Sequence, residues 1–166
     1  MIFNLKLKTQ KIMKLTILAF GDFKQSPEKL IYEDFIKRMK YKIILKELHL
    51  KNSKNIPSDD LKAREGELIL SNIEHGSTLI ALDENGKEFT SVEFAKVMNN
   101  LALKSISNLY FVIGGACGLS PKVIEKADMV LSLSKMTIPH ILVRIFLIEQ
   151  LYRAQSINSN HPYHRY

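Results

Sequence analysis

Five short apolar runs, at 15–19, 41–48, 78–82, 109–113 and 129–133, recur along the chain with helix-forming stretches between them. Runs of this length, four of them free of charged residues and 41–48 interrupted by Lys42, Lys46 and Glu47, predict strands most of which are covered on both faces. Strands that alternate with helices imply an α/β fold with a mainly parallel sheet and helices on both faces, and such sheets bind ligands beyond the carboxyl ends of their strands. The helix starts are written in the sequence. Ser26-Pro27-Glu28 is an N-cap followed by a proline at the first helical position, Thr90-Ser91-Val92-Glu93 is a capping box opening a helix to about Lys104, and Ser120-Pro121 opens a short helix. The polar stretch 51–60 reads as a surface loop rather than a domain boundary. At 166 residues, 46% of them hydrophobic, the chain suits a single domain, 1–166, with one core.

Composition narrows the setting. The longest charge-free run, 105–121, holds three glycines, Asn108 and a proline, so it does not read as a bilayer span, and 15–20 is too short for the apolar region of a secretion signal. One cysteine, Cys117, agrees with a reducing compartment, and a cytoplasmic protein is expected. The net charge of +7 is uneven: residues 1–64 hold fifteen Lys or Arg against seven Asp or Glu, and the remainder nine against ten. A basic amino-terminal half suits a polyanion such as RNA, or equally a solvated face.

Three segments carry chemistry. The fourth apolar run ends in Gly114-Gly115-Ala116-Cys117-Gly118, a loop in which missing Cβ atoms let the backbone meet a ligand closely or turn tightly. Its spacing differs from the G-x-G-x-x-G dinucleotide fingerprint, which disfavours a phosphate-rich cofactor. After Pro139, a last helix carries apolar residues around nearly its whole circumference, which predicts burial on more than one side and hence a homodimer, with Ile148 among the partner-facing positions. In that helix Glu149 and Arg153 are spaced as an i,i+4 pair, whereas Arg144 has no local partner and is expected to face a site or the opposite subunit. The terminal His161, Tyr163, His164 and Arg165 gather proton-exchanging and cationic groups in one short tail, although a solvated chain end is the default for such a position. The H-x-x-H pair lacks further ligand types nearby, so no metal is expected.

Together, LDENGKEFTS at 82–91, IGGACGLS at 113–120, LSLSKMTIPHILVRIFLIEQLYRA at 131–154 and NHPYHR at 160–165 resemble the RlmH family. These are SPOUT-superfamily methyltransferases that use S-adenosylmethionine to methylate N3 of a pseudouridine in 23S ribosomal RNA of the large subunit. The resemblance implies a SPOUT-type fold with a carboxyl-terminal trefoil knot, a homodimer, and an rRNA substrate on the assembled ribosome. It places cofactor contacts on Leu82, Gly114, Leu133, Ser134, Lys135, Met136, Thr137 and Ile138. Acceptor positioning falls on His161, Tyr163, His164 and Arg165, with Arg144 as a further candidate. Residues 1–12 precede the usual family start and are a basic extension or an upstream start. A non-catalytic RNA- or ribosome-binding module, and a SPOUT methyltransferase acting on tRNA, remain open alternatives.

Overall fold

The computed structural model describes residues 13–51, 55–104 and 106–165. The expected amino-terminal extension, 1–12, lies outside the described residues. Ten elements alternate along the chain: β1 (Lys14–Phe20), α1 (Pro27–Arg38), β2 (Lys42–Leu48), α2 (Ser58–Ser71), β3 (Thr78–Glu88), α3 (Ser91–Leu103), β4 (Asn108–Ile113), α4 (Pro121–Lys126), β5 (Met129–Ser132) and α5 (His140–Asn158). The sheet runs β2-β1-β4-β3-β5, and each neighbouring pair is parallel.

The signalled helix starts form as capped ends. Ser26 Oγ accepts from the Lys29 N–H at 3.3 Å. Thr90 and Glu93 exchange both bonds of a capping box, at 3.2 and 2.8 Å. Ser120 caps α4. The expected 51–60 loop is shorter than its polarity suggested, because Ser58, Asp59 and Asp60 form the first turn of α2. Carboxylates there meet the positive end of the helix, which favours helix over loop.

Because side chains alternate across a strand, the sheet has two apolar faces. Leu15, Ile17, Ile80, Leu109 and Phe111 pack under α1, α3 and α5, while Leu18, Leu79, Tyr110 and Val112 pack under α2 and α4. Leu147, Ile148 and Leu151 of α5 are completely buried, so Ile148 is a core residue and not a partner-facing one. The all-round apolar character of α5 has a local cause: α1 and α3 flank it within the same chain. What stays uncovered is narrower than the pattern implied, namely Leu142 at 46% and Phe146 at 43% exposure, one helical turn apart.

β3 extends beyond the expected 78–82. Its residues 83–86 make a detour, so that Leu131 of β5 pairs first with Leu82 and then with Lys87. Gly86 permits this, since a Cβ there would lie 2.7 Å from the Leu131 carbonyl carbon.

Candidate functional site

At the carboxyl ends of β3, β4 and β5 lies a cavity of about 680 Å³. Leu82, Ile113 and Leu131, the last apolar residues of those strands, form part of its wall, and the 114–118 loop follows directly from Ile113. Leu133, Ser134, Met136, Thr137 and Ile138 supply another part, and His140 and Val143 from the start of α5 another. Asp83, Glu84 and Asn85 of the β3 detour and Lys62 of α2 add charge and polarity at the wall.

The glycine loop is shaped chiefly by its own closure. Gly118, at φ +76, donates its N–H to the Gly115 carbonyl at 3.0 Å, and a Cβ on Gly114 would lie 2.6 Å from the Gly118 carbonyl carbon. The first requirement for glycine at 114 is therefore the loop folding against itself. The facing segment is pinned by hydroxyls: Ser132 Oγ donates to the Ser134 carbonyl at 3.1 Å, and Ser134 Oγ accepts the Met136 N–H at 3.0 Å.

Of the expected cofactor set, Leu82, Gly114, Leu133, Ser134, Met136, Thr137 and Ile138 line the cavity, and Lys135 does not. Its Nζ instead donates to the Glu84 carbonyl at 2.9 Å, tying the 133–138 segment to the β3 detour. Met136 stands 77% exposed. Sequence reasoning missed Lys62, Asp83, Glu84 and Asn85 as wall residues. The last three sit inside the quoted LDENGKEFTS segment, whereas nothing in the pattern around Lys62 signals it.

Arg144 does not face the cavity or the surface. It is 0% exposed; Nη1 pairs with Glu47 at 3.2 Å, Nη2 donates to the Phe20 and Gly21 carbonyls, and the guanidinium lies over the Phe23 ring at 5.2 Å. Glu47 also accepts the Phe23 N–H. The pair thus holds the 20–23 turn at the end of β1 beside His140, which corrects the expectation of an arginine facing a site or the opposite subunit. His140, in the cavity wall, is pushed below the ordinary imidazole value by burial first and by the Arg144 charge second.

The tail is ordered against α5. Tyr163 packs on Tyr152 with ring centroids 4.8 Å apart, and its hydroxyl donates to Glu149 at 3.0 Å. Arg153 pairs with Glu149, stacks over Tyr163 at 4.8 Å and reaches His164 Nδ1 at 3.3 Å. The His161 N–H donates to the Ser156 carbonyl at 2.8 Å. Burial, then the Glu149 hydrogen bond, raises the Tyr163 phenol. This cluster rests between Glu149 and Arg153, about 13 to 20 Å along the helix from His140 at 1.5 Å per residue. The structure therefore brings His161, Tyr163 and His164 together, but away from the cavity of their own chain.

Among the described residues, no group of three or more His, Cys, Asp or Glu is placed to hold a metal ion. No helix among them is long and apolar enough to cross a membrane.

Residues 13–164 match the family described as "Predicted SPOUT methyltransferase". The ribosomal RNA large subunit methyltransferase H of Clostridium tetani is 40% identical over 159 residues, covering 92% of this chain and 100% of the relative. Its namesake in Paramagnetospirillum magneticum is 41% identical over 153 residues, covering 92% and 99%. A solved structure described as a probable methyltransferase from Bordetella pertussis superposes with a TM-score of 0.53 at 14% identity, covering 87% of this chain and 97% of that one. A probable methylase family protein from Haemophilus influenzae gives 0.52 at 12%, covering 93% and 70%. At such identities these two structures share the fold alone.

Proposed function

We propose, because the chain belongs to the ribosomal RNA large subunit methyltransferase H family of SPOUT methyltransferases, that it transfers a methyl group from S-adenosylmethionine to N3 of a pseudouridine in 23S ribosomal RNA on the assembled ribosome. The observation that carries the reading is the meeting of two backbone-rich segments, 113–118 and 133–138, over one cavity at the strand ends, apolar at Leu82, Ile113, Leu131, Leu133 and Ile138.

The residues present fit that cofactor. An adenine ring needs an apolar slot with backbone donors and acceptors at its edge, and Leu82, Ile113, Leu133 and Ile138 with their loops offer both. The cavity volume, about 680 Å³, lies inside the range of small-molecule sites. When bound, the cofactor supplies an activated methyl group. The chain's residues must align acceptor and methyl and accept the N3 proton, a weak imide acid. Within one chain, His140 is the imidazole in the cavity wall, and its lowered proton affinity keeps it ready to accept.

A homodimer completes the arrangement. The tail of one chain rests far from its own cavity, whereas exposed Leu142, Phe146 and Met136 mark a surface near the cavity that a second copy can cover. A partner seated there brings the cationic end of a tail, Arg165 included, toward the acceptor. Calorimetric titration with S-adenosylmethionine tests the reading: saturable heat supports it, and no heat at millimolar cofactor returns the chain to the class of RNA-binding modules. Label transfer to ribosomes, free 23S RNA and tRNA in parallel then identifies the acceptor, and label confined to tRNA contradicts the ribosomal assignment.

A further inference from the structure

Helix α2 presses directly on the underside of the glycine loop. A Cβ on Gly66 would lie 2.1 Å from Ser120 Oγ, and a Cβ on Gly115 would lie 2.6 Å from both carboxylate oxygens of Glu65. Glu65 is only 7% exposed, and its Oε2 has no hydrogen-bond partner. Burying a carboxylate without a full set of partners is costly, so its presence calls for a reason outside packing. Burial pushes the carboxyl group up, and the Gly115 N–H opposes that shift. Gly115 is itself a wall residue of the cavity, so the carboxylate lies behind that wall with Gly115 between. The charged side chains in the wall are Lys62, one turn earlier on α2, and Asp83 and Glu84 on the β3 detour.

We propose that Glu65 is a positioning residue of the methyl-donor site, whose carboxylate props Gly115 from below and lays a negative charge behind the cavity that favours a cationic ligand. The proposal rests on the cofactor reading above. In the transfer, the bond from sulfur to the methyl carbon breaks as the bond from N3 to that carbon forms, the electron pair stays on sulfur, and the N3 proton leaves to a base. The donor is therefore a sulfonium cation, whereas the product, S-adenosylhomocysteine, is uncharged at sulfur. A fixed anion behind the wall discriminates between them, helping donor to bind and product to leave. A carboxylate that served packing alone would act on the two ligands equally.

The test is calorimetry with S-adenosylmethionine and S-adenosylhomocysteine on the full-length protein and on Glu65→Gln, Glu65→Leu and Glu65→Asp. The ratio of donor to product affinity should fall by about three- to tenfold in Glu65→Gln, which keeps shape and removes charge. It should stay within about twofold of the parent in Glu65→Asp, which keeps the charge. Glu65→Leu gives the same reading as Glu65→Gln if the amide variant does not fold. An unchanged ratio in either uncharged variant, with both affinities moving together, overturns the proposal. Failure of the parent protein to bind the donor at all overturns the cofactor reading instead, so the two failures are distinguishable.

Discussion

Arg144 and Glu65 are the two buried charges that explain most about the site, and each is read differently from its neighbours in sequence. Arg144 stands out in the pattern because it lacks an i,i+4 partner, but its partner Glu47 lies 97 positions away on β2, beyond the reach of any spacing rule. Since the guanidinium is fully buried and Glu47 half-buried, Arg144→Met should destabilise by about 2–4 kcal/mol in denaturant unfolding, toward the lower part of the range for breaking a buried pair. Glu65 gives a prediction with a definite sign. Its carboxyl value in the fold is raised, so the stability linked to it is present below the unfolded carboxylate range and lost as pH rises through the raised value. Glu65→Gln should therefore melt higher than the parent near neutral pH, and the gap should close as pH falls toward about 4.3. His140 is lowered instead, so its imidazole stays able to accept a proton somewhat below the ordinary value of about 6.5. His140→Asn should remove that limb from the pH dependence of methyl transfer while leaving cofactor affinity within about twofold.

At the scale of elements, local chemistry was legible and detours were not. The three signalled helix starts are visible in the sequence because capping is satisfied by residues within three positions of one another. The 133–138 segment, proposed to contact the cofactor, could be assigned only by resemblance, since its turn-rich residues carry no periodic signal. The extension of β3 was hidden because 83–88 is polar and pairs with β5 through a register shift. The tail departs from the default for chain ends, because Tyr163 is held by Tyr152 and Glu149. Removing 160–166 should thus cost about 0.5–1.5 kcal/mol for the lost aromatic pair while leaving cofactor binding in place, and it should abolish methyl transfer. Full activity in the truncated protein would return the acceptor chemistry to groups in the cavity wall, His140 first.

For the whole molecule, alternation of strands and helices gave the layered α/β architecture directly, but the strand order β2-β1-β4-β3-β5 depends on long-range pairing that no local pattern encodes. The dimer reading moves with the structure from Ile148 to Leu142 and Phe146. Phe146→Asp should leave the fold intact, because the side chain is 43% exposed, and shift light scattering from about twice the 19.1 kDa of one chain toward that single mass. Loss of methyl transfer together with dimerisation in that variant, with cofactor binding retained, separates a site completed by a partner's tail from one complete in a single chain. The central claim is the acceptor itself, and it is tested most directly by nucleoside mass spectrometry of large-subunit RNA from ribosomes lacking the modification, after incubation with the protein and S-adenosylmethionine. One new methyl group per large subunit, on N3 of a pseudouridine in 23S RNA, is the expected result. A methyl group on another base, or none on ribosomes while tRNA becomes methylated, would contradict it.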